Sequence, residues 1–448
     1  MCLIALSSAA YSSAQALERF VATDGNDNAG TNNCSDPNNP CLTVANAVQN
    51  SQTGDHVRIA AGTYTEVEII ISGVDLKITG DSAKTTIIDG QNNNRLFWVL
   101  LDASVEISQV TVQNGEPGGG SQDEGGAIKN EGFLKLSHCV LRDNGSQNQT
   151  ASHGGALFNG RRPPETQGGV AEISHCTLSG NSSLVRGGGI SNGGGEPDDY
   201  VGTMTIVNRT IVENTSGLAS ASQLGGGGGG LFNHQGSTLN LFNVTIADNV
   251  ANPTDNGDNG GGGLHNRTGG TATINNTLIA NNEDSSSLLA EDCFGNLDST
   301  FGHNLVEVIT GCTLAGNTTG NLTGTDPLLD VLADNGGDTP TQALFSGSPA
   351  IDAGDPTGCK DDGGLTLSTD QRGEPRPEAG IAGSAPLCDI GAYEAPAGTT
   401  PNLNTGTGSV GSGGCSIGQA SLGHGTVLVQ WLLGLGSLLF WGYLRRRS

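Results

Sequence analysis

Gly125-Gly126-Ala127-Ile128-Lys129-Asn130 returns as Gly154-Gly155-Ala156-Leu157-Phe158-Asn159, Gly187-Gly188-Gly189-Ile190-Ser191-Asn192, Gly228-Gly229-Gly230-Leu231-Phe232-Asn233 and Gly261-Gly262-Gly263-Leu264-His265-Asn266. The Asn-to-Asn spacings are 29, 33, 41 and 33 residues. A fixed motif at variable spacing means one structural unit carrying insertions of different length. Between the copies runs a second phrase, apolar-x-x-Asn, in Leu141 to Asn144, Leu178 to Asn181, Ile211 to Asn214, Ile246 to Asn249 and Leu278 to Asn281. No helical period crosses the region. Short strands turned by Gly and closed by Asn leave a propeller or a solenoid. Propeller blades need four antiparallel strands and a longer unit. The spacing therefore predicts an all-β, right-handed parallel β-helix with one coil per repeat, the hand following from the preference of parallel crossovers.

Coils stacked about 4.8 Å apart place equivalent residues above one another, so eight or so coils would span roughly 40 Å. The Gly pair allows a sharp turn. Asn tolerates the left-handed region and can bond amide to amide along a column. Aligned this way, Leu136, Ile173, Ile206 and Leu241 share one inward slot, and Leu141, Leu178, Ile211 and Ile246 another. Thr177, Thr210, Thr245 and Thr277 form a threonine column, and Lys135 faces Glu172 across coils. Cys139 and Cys176 share a slot with Arg209, which places that slot outside the deep core. A Cys139–Cys176 disulfide or two free thiols both fit. His138 and His175 stack beside them without a carboxylate partner.

Glycine supplies 72 of 448 residues without a collagen period, while aromatics are only 4%, so a thick globular core is excluded. Forty-five acidic against 19 basic residues give a net charge of −26, a surface that repels nucleic acid. Ten cysteines fall mostly in local pairs, and Cys34–Cys41, Cys293–Cys312 and Cys359–Cys388 read as disulfides of an oxidising compartment.

The ends carry targeting signals. Residues 1–16 form an apolar run closing on Ala14-Gln15-Ala16, a cleavage pattern that makes Ala16 the processing residue of a secretory signal; a buried first strand is the other reading. Residues 17–54 read as an N-terminal cap with a short amphipathic helix near 41–48, residues 55–315 as the β-helix, residues 316–395 as C-terminal coils and cap, and residues 396–414 as a linker. Residues 415–448 hold Cys415, an apolar stretch over 427–444 long enough to span a bilayer, and Arg445-Arg446-Arg447. This tail resembles bacterial C-terminal sorting signals. The resemblance implies a membrane helix, a sorting protease and Cys415 as the processing or attachment residue. A plain tail anchor is the alternative.

Other segments resemble known families. Cys41-Leu42-Thr43 with Ala47-Val48, Gly54-Asp55-His56-Val57, and Gly62-Thr63-Tyr64 with Glu66 resemble the N-terminal cap and first coil of pectin-lyase-like β-helices. The Gly-Gly repeats resemble those of polymorphic outer-membrane proteins. Gly302-His303-Asn304-Leu305, Asp326-Pro327-Leu328-Leu329, Gly347-Ser348-Pro349-Ala350-Ile351-Asp352-Ala353-Gly354, Asp370-Gln371-Arg372-Gly373 and Asp389-Ile390-Gly391-Ala392-Tyr393-Glu394 are similar to the choice-of-anchor Q domain of bacterial surface proteins. Its Asp, Arg and Gly residues read as turn and ion-pair positions.

These resemblances imply an exported protein at the cell surface, outer membrane or extracellular space. Its expected role is non-enzymatic: adhesion, glycan binding or envelope structure, with an extracellular polysaccharide or a host or cell surface as partner. The alternative is a polysaccharide lyase or glycoside hydrolase. That reading would draw on Asp123, Glu124, Asp198 and Asp199 with Arg161 or Arg186, all in loops before Gly-Gly motifs. A polygalacturonase-like set of Asn-Thr-Asp, Asp-Asp and Gly-His-Gly is missing. No cofactor is expected, apart from Ca2+ at Asp255 and Asp258 in Asp-Asn-Gly-Asp-Asn-Gly; Asp24-Gly25-Asn26-Asp27 has a similar composition.

Overall fold

Strands from successive repeats lie parallel, side by side, in one 26-stranded sheet. The computed structural model describes residues 16–28, 32–117, 124–145, 153–161, 168–194, 200–217, 227–251, 260–285 and 290–399. Each coil contributes three faces. The short-strand face stacks Ile69–Ile71, Phe97–Val99, Ile128–Asn130, Leu157–Asn159, Ile190–Asn192, Leu231–Asn233 and Leu264–Asn266, ending on Cys293 and Phe294. The second face pairs Phe133–Ser137 with Gly169–Ser174 and the following coils, and the third begins at Val140, Thr177 and Thr210. The second face holds eleven levels, from Glu18–Val21 to Cys312–Gly316, because coils outside the Gly-Gly region stack as well.

Both glycines of the motif have a steric reason. The first sits at positive φ in every copy, for example 65° at Gly187 and 63° at Gly228, where a side chain is strained. The second packs backbone on backbone. A Cβ at Gly155 would meet the carbonyls of Gly188 and Ser182, and one at Gly188 those of Gly229 and Thr215.

The motif asparagines form a continuous amide ladder. Asn130 Nδ2 donates to Asn159 Oδ1 at 2.7 Å, and Asn159 to Asn192, Asn192 to Asn233 and Asn233 to Asn266 each at 2.8 Å. A second ladder runs Asn144, Asn181, Asn214, Asn249, Asn282 at 2.8–2.9 Å, and Asn282 ends it on Asp292 Oδ1 at 2.9 Å. Every amide in it points the same way, so the bonds polarise one another toward a carboxyl at the end. Around the ladders the interior is filled by Ile, Leu and Val, including Leu136, Ile173, Ile206 and Leu241 in their expected slot.

Three register expectations change. Ile279, not Leu278, follows Ile246 in the inward slot, and Asn282, not Asn281, continues the ladder. Asn281 instead takes the left-handed corner (φ 57°) that Asp143, Glu213 and Asp248 hold in other coils. Leu278 pairs with Thr245, so Thr277 does not join the column of Thr177, Thr210 and Thr245. Cys139, Cys176 and Arg209 all lie in the buried interior, contrary to the placement read from the arginine. Lys135 does share its row with Glu172, but the ion pair of that row joins Lys77 to Glu106 at 3.5 Å.

The N-terminal cap is a helix at Val44–Gln49, with Thr43 as N-cap and Val44, Ala47 and Val48 buried. Asp27 accepts from Leu42 N (2.8 Å) and Thr43 Oγ1 (2.7 Å), so the Asp24–Asp27 loop ties down the helix. The Cys34–Cys41 disulfide closes the same loop; Cys293–Cys312 and Cys359–Cys388 are the other two bridges.

Next comes the segment read as C-terminal coils and cap, residues 316–395. It contributes one last parallel strand, Leu322–Thr323, then an antiparallel pair, Leu329–Ala333 with Thr341–Leu344. Beyond it the chain lies along the third face, because the outward Thr and Asn side chains there offer partners. Gln371 Nε2 donates to Thr177 Oγ1 (2.9 Å) and its Oε1 accepts from Thr210 (2.8 Å). Ala392 N donates to Thr245 Oγ1 (3.0 Å), and Asn276 Nδ2 donates to Asp389 O (2.8 Å). A buried polar network holds this strap together. Arg376 donates to Glu394 at 2.7 Å, Asp370 accepts from Arg372 at 2.8 Å, and the Arg372 guanidinium lies 3.8 Å above the Tyr393 ring.

Burial pushes three carboxyls up: Glu66 and Asp292 to about 7, and Asp389, with the Glu394 charge adding, to about 8. Each keeps its proton in the folded chain at pH values where the unfolded chain has lost it. The stability they contribute is complete below the ordinary values of 3.8–4.5 and is lost as pH rises through 7 to 8. Tm should therefore fall between about pH 7 and about pH 8.5 at fixed ionic strength, above the range in which the buried neutral His153, His175 and His265 act with the opposite sign. A melting series that stays flat or rises across that window contradicts this assignment.

Candidate functional site

In each motif the apolar residue faces the interior, and the residue between it and Asn stands on the opposite side of a short strand. Ile128, Leu157, Ile190, Leu231 and Leu264 accordingly belong to the interior core, whereas Phe158 and Phe232 do not. The register stacks the outward residues Ile70, Trp98, Lys129, Phe158, Ser191, Phe232, His265 and Phe294 in one column, one per coil. In a chain with 4% aromatics, four of these eight are Trp or Phe. That concentration singles out this face.

Cations and further rings build on the column. Lys129 Nζ lies 5.1 Å from the Trp98 ring and 5.9 Å from Tyr200, and Arg95 lies 5.5 Å over Trp98. Tyr200 meets Phe158 edge to face at 5.5 Å. Arg186 lies 5.2 Å over Phe232, and His265 sits 4.8 Å from both Phe232 and Phe294. Arg267 reaches His234 Nε2 at 2.7 Å. The central rungs are buried, Lys129 and Phe158 completely. Trp98, Arg161, Tyr200, Arg267 and Phe294 are partly exposed and frame the face.

The charged and titratable groups described on this face are paired or neutral near pH 7. Arg95 pairs with Glu68 at 2.7 Å, and Lys129 with Glu124 at 3.1 Å and Glu131 at 3.4 Å. Burial holds His153 down at about 3 and His265 at about 4, so both rings are neutral near pH 7. Neutral imidazoles and paired carboxylates offer hydrogen bonds and ring faces.

Of the residues named for the enzymatic alternative, Asp123, Asp198 and Asp199 lie outside the described residues. Glu124 is buried on Lys129, Arg161 bridges to Val201 through its backbone, and Arg186 lies over Phe232. Among the described residues, no hydrogen bond or ion pair joins Glu124 to either arginine. Asp255 and Asp258 also lie outside, and among the described residues no cluster of His, Cys, Asp or Glu could hold a metal ion. Ala16 is exposed at the start of the described chain, and Cys415 and the 427–444 stretch lie beyond it. Among the described residues no helix is long and apolar enough to cross a membrane. Cys139 and Cys176 are free thiols.

The outward column was readable as the x of Gly-Gly-small-apolar-x-Asn. Its occupants Lys, Phe, Ser, Phe and His differ in chemistry, so they look random until the register aligns them with Trp98 and Phe294 outside the motif. No protein-family model matches the chain, and no curated protein matches it.

Proposed function

We propose that this protein is an exported, non-enzymatic β-solenoid that holds an extended carbohydrate polymer along its short-strand face. The observation that carries the reading is the line of partly exposed Trp98, Arg161, Tyr200, Arg267 and Phe294 along this face, which stands over the buried rungs Lys129, Phe158, Phe232 and His265. Aromatic faces accept the apolar faces of sugar rings, and guanidinium groups donate to hydroxyls and carboxylates. A ladder that repeats about every 4.8 Å suits a linear polymer better than a compact ligand. Binding is favoured over cleavage because Glu68, Glu124 and Glu131 are each ion-paired to Arg95 or Lys129.

Three disulfides support export, since such bridges persist in oxidising compartments. The sorting-like tail with Cys415 would then tether the solenoid to the cell envelope, in keeping with its resemblance to right-handed choice-of-anchor Q surface proteins. Purified protein should retain a polysaccharide from a panel of acidic and neutral polymers, with and without Ca2+. Arg267→Ala and Trp98→Ala should each weaken retention by about tenfold while Tm stays within a few degrees. Unchanged retention in both variants contradicts the site, and shortening of the polymer transfers the reading to a lyase or hydrolase.

A further inference from the structure

A solenoid must be covered at both ends, because its outermost coils present unpaired backbone and half-covered apolar side chains. At one end the helix Val44–Gln49 closes the core with Val44, Ala47 and Val48. The other end is open. Cys312–Gly316 and Leu322–Thr323 each pair with the preceding coil, and among the described residues no strand pairs with them on the far side. Gly295 N donates to Gly311 O (3.0 Å) and Asn317 N to Ser299 O (2.7 Å), so the odd-numbered residues of Cys312–Gly316 turn their backbone groups to the preceding coil. Alternation along the strand then leaves those of Leu314 and Gly316 on the open edge.

The side chains of this coil are unfinished in the same direction. Leu297 and Leu305 are fully buried, whereas Leu314 and Leu322, stacked on them, are only partly buried. Asn321 Oδ1 accepts from Asn304 N (2.9 Å) and Nδ2 (3.2 Å), but its own Nδ2 is buried without a partner. Natural sheets guard such an edge with Lys, Pro, a bulge or an inward charge. None of these stands here: residues 308–325 hold no Lys, Arg, Asp, Glu or Pro, and the pairing of Cys312–Gly316 is regular.

We propose that residues 308–325 form the interface of a homodimer, in which two copies of this chain meet last coil to last coil about a two-fold axis and Cys312–Gly316 pairs antiparallel with its counterpart. Charge selects a second copy as the occupant. At a net charge of −26, two copies repel over most of their surface and approach most readily where charge is absent, which is this coil. The helix cap blocks head-to-tail stacking into a filament, so the contact closes on itself with two-fold symmetry. Eighteen residues a side come close to the 20–30 or so of a stable interface.

The test uses the full-length protein. Light scattering at micromolar concentration should give twice the mass of one chain, and small-angle X-ray scattering a particle lengthened along the solenoid axis with an unchanged cross-section. Thr313 and Ala315 are exposed and point away from the core, so Thr313→Lys/Ala315→Lys sets charges beside the open edge and leaves the pairing with the preceding coil intact. This double variant should weaken the dimer by about 100-fold or more and run as a monomer, with its Tm within a few degrees of the wild type. Thr203→Lys/Thr205→Lys, on a strand paired on both sides, should leave the dimer as it is. A monomeric wild type, a dimer that thickens the particle instead of lengthening it, or a dimer that survives the Thr313/Ala315 change each overturns the proposal. Should that variant fail to fold, the mass and shape of the wild type decide the matter.

Discussion

Gly188→Ala should cost about 4 kcal/mol or more and reduce soluble yield, since the new Cβ collides with backbone on two sides. Its neighbours would be the carbonyls of Gly229 in the next coil and of Thr215. Neither can swing aside as a flexible side chain would, because both belong to coils packed in register. The control is Gly363→Ala in the strap, where the nearest atom to a new Cβ is an Asp361 side-chain oxygen at 3.4 Å. That change should stay within about 0.5 kcal/mol. Thermal melts of the two variants decide the matter, and equal Tm values would remove the steric account of the motif.

The second large effect is expected at Asn214. Its Nδ2 donates to Leu178 O (3.1 Å), Val212 O (3.0 Å) and Asn249 Oδ1 (2.9 Å), and its Oδ1 accepts from Asn181 N (3.1 Å) and Nδ2 (2.8 Å). Asn214→Ala leaves buried donors and acceptors unpaired on both sides, at roughly 3–5 kcal/mol. Asn214→Asp keeps the volume but turns a donor into an oxygen facing three other oxygens, and should be as damaging. If Asp is tolerated and Ala is not, the ladder acts through packing and the hydrogen-bond account fails.

The parts of the fold legible in the sequence are those in which one residue type is forced at one slot. Gly188 and Asn214 are of that kind, so motif, stacking and ladders follow from the sequence register. Legibility failed where two residues satisfied the same pattern. Leu278 to Asn281 and Ile279 to Asn282 both read apolar-x-x-Asn, and only the left-handed corner at Asn281 separates them. It failed again at Arg209, since a charged residue reads as surface whereas this guanidinium is sealed inside. The place of the strap on the flank rests on bonds such as Gln371 to Thr177, 194 residues apart, which leave no local periodicity. The candidate site was least legible. Its side chains stand in the motif's variable position, at Lys129, Phe158, Phe232 and His265, and their differing chemistry hides the column.

The most direct measurement is the affinity of the wild-type protein for oligosaccharides of increasing length, in a uronate series and a neutral series. The face runs from Trp98 to Phe294, about 30 Å at the coil spacing. Affinity should climb with length until the ligand spans that distance and then level off, with every oligomer recovered at its original size. Affinity independent of length, or products shorter than the oligomer supplied, would contradict a solenoid face that holds a polymer without cutting it.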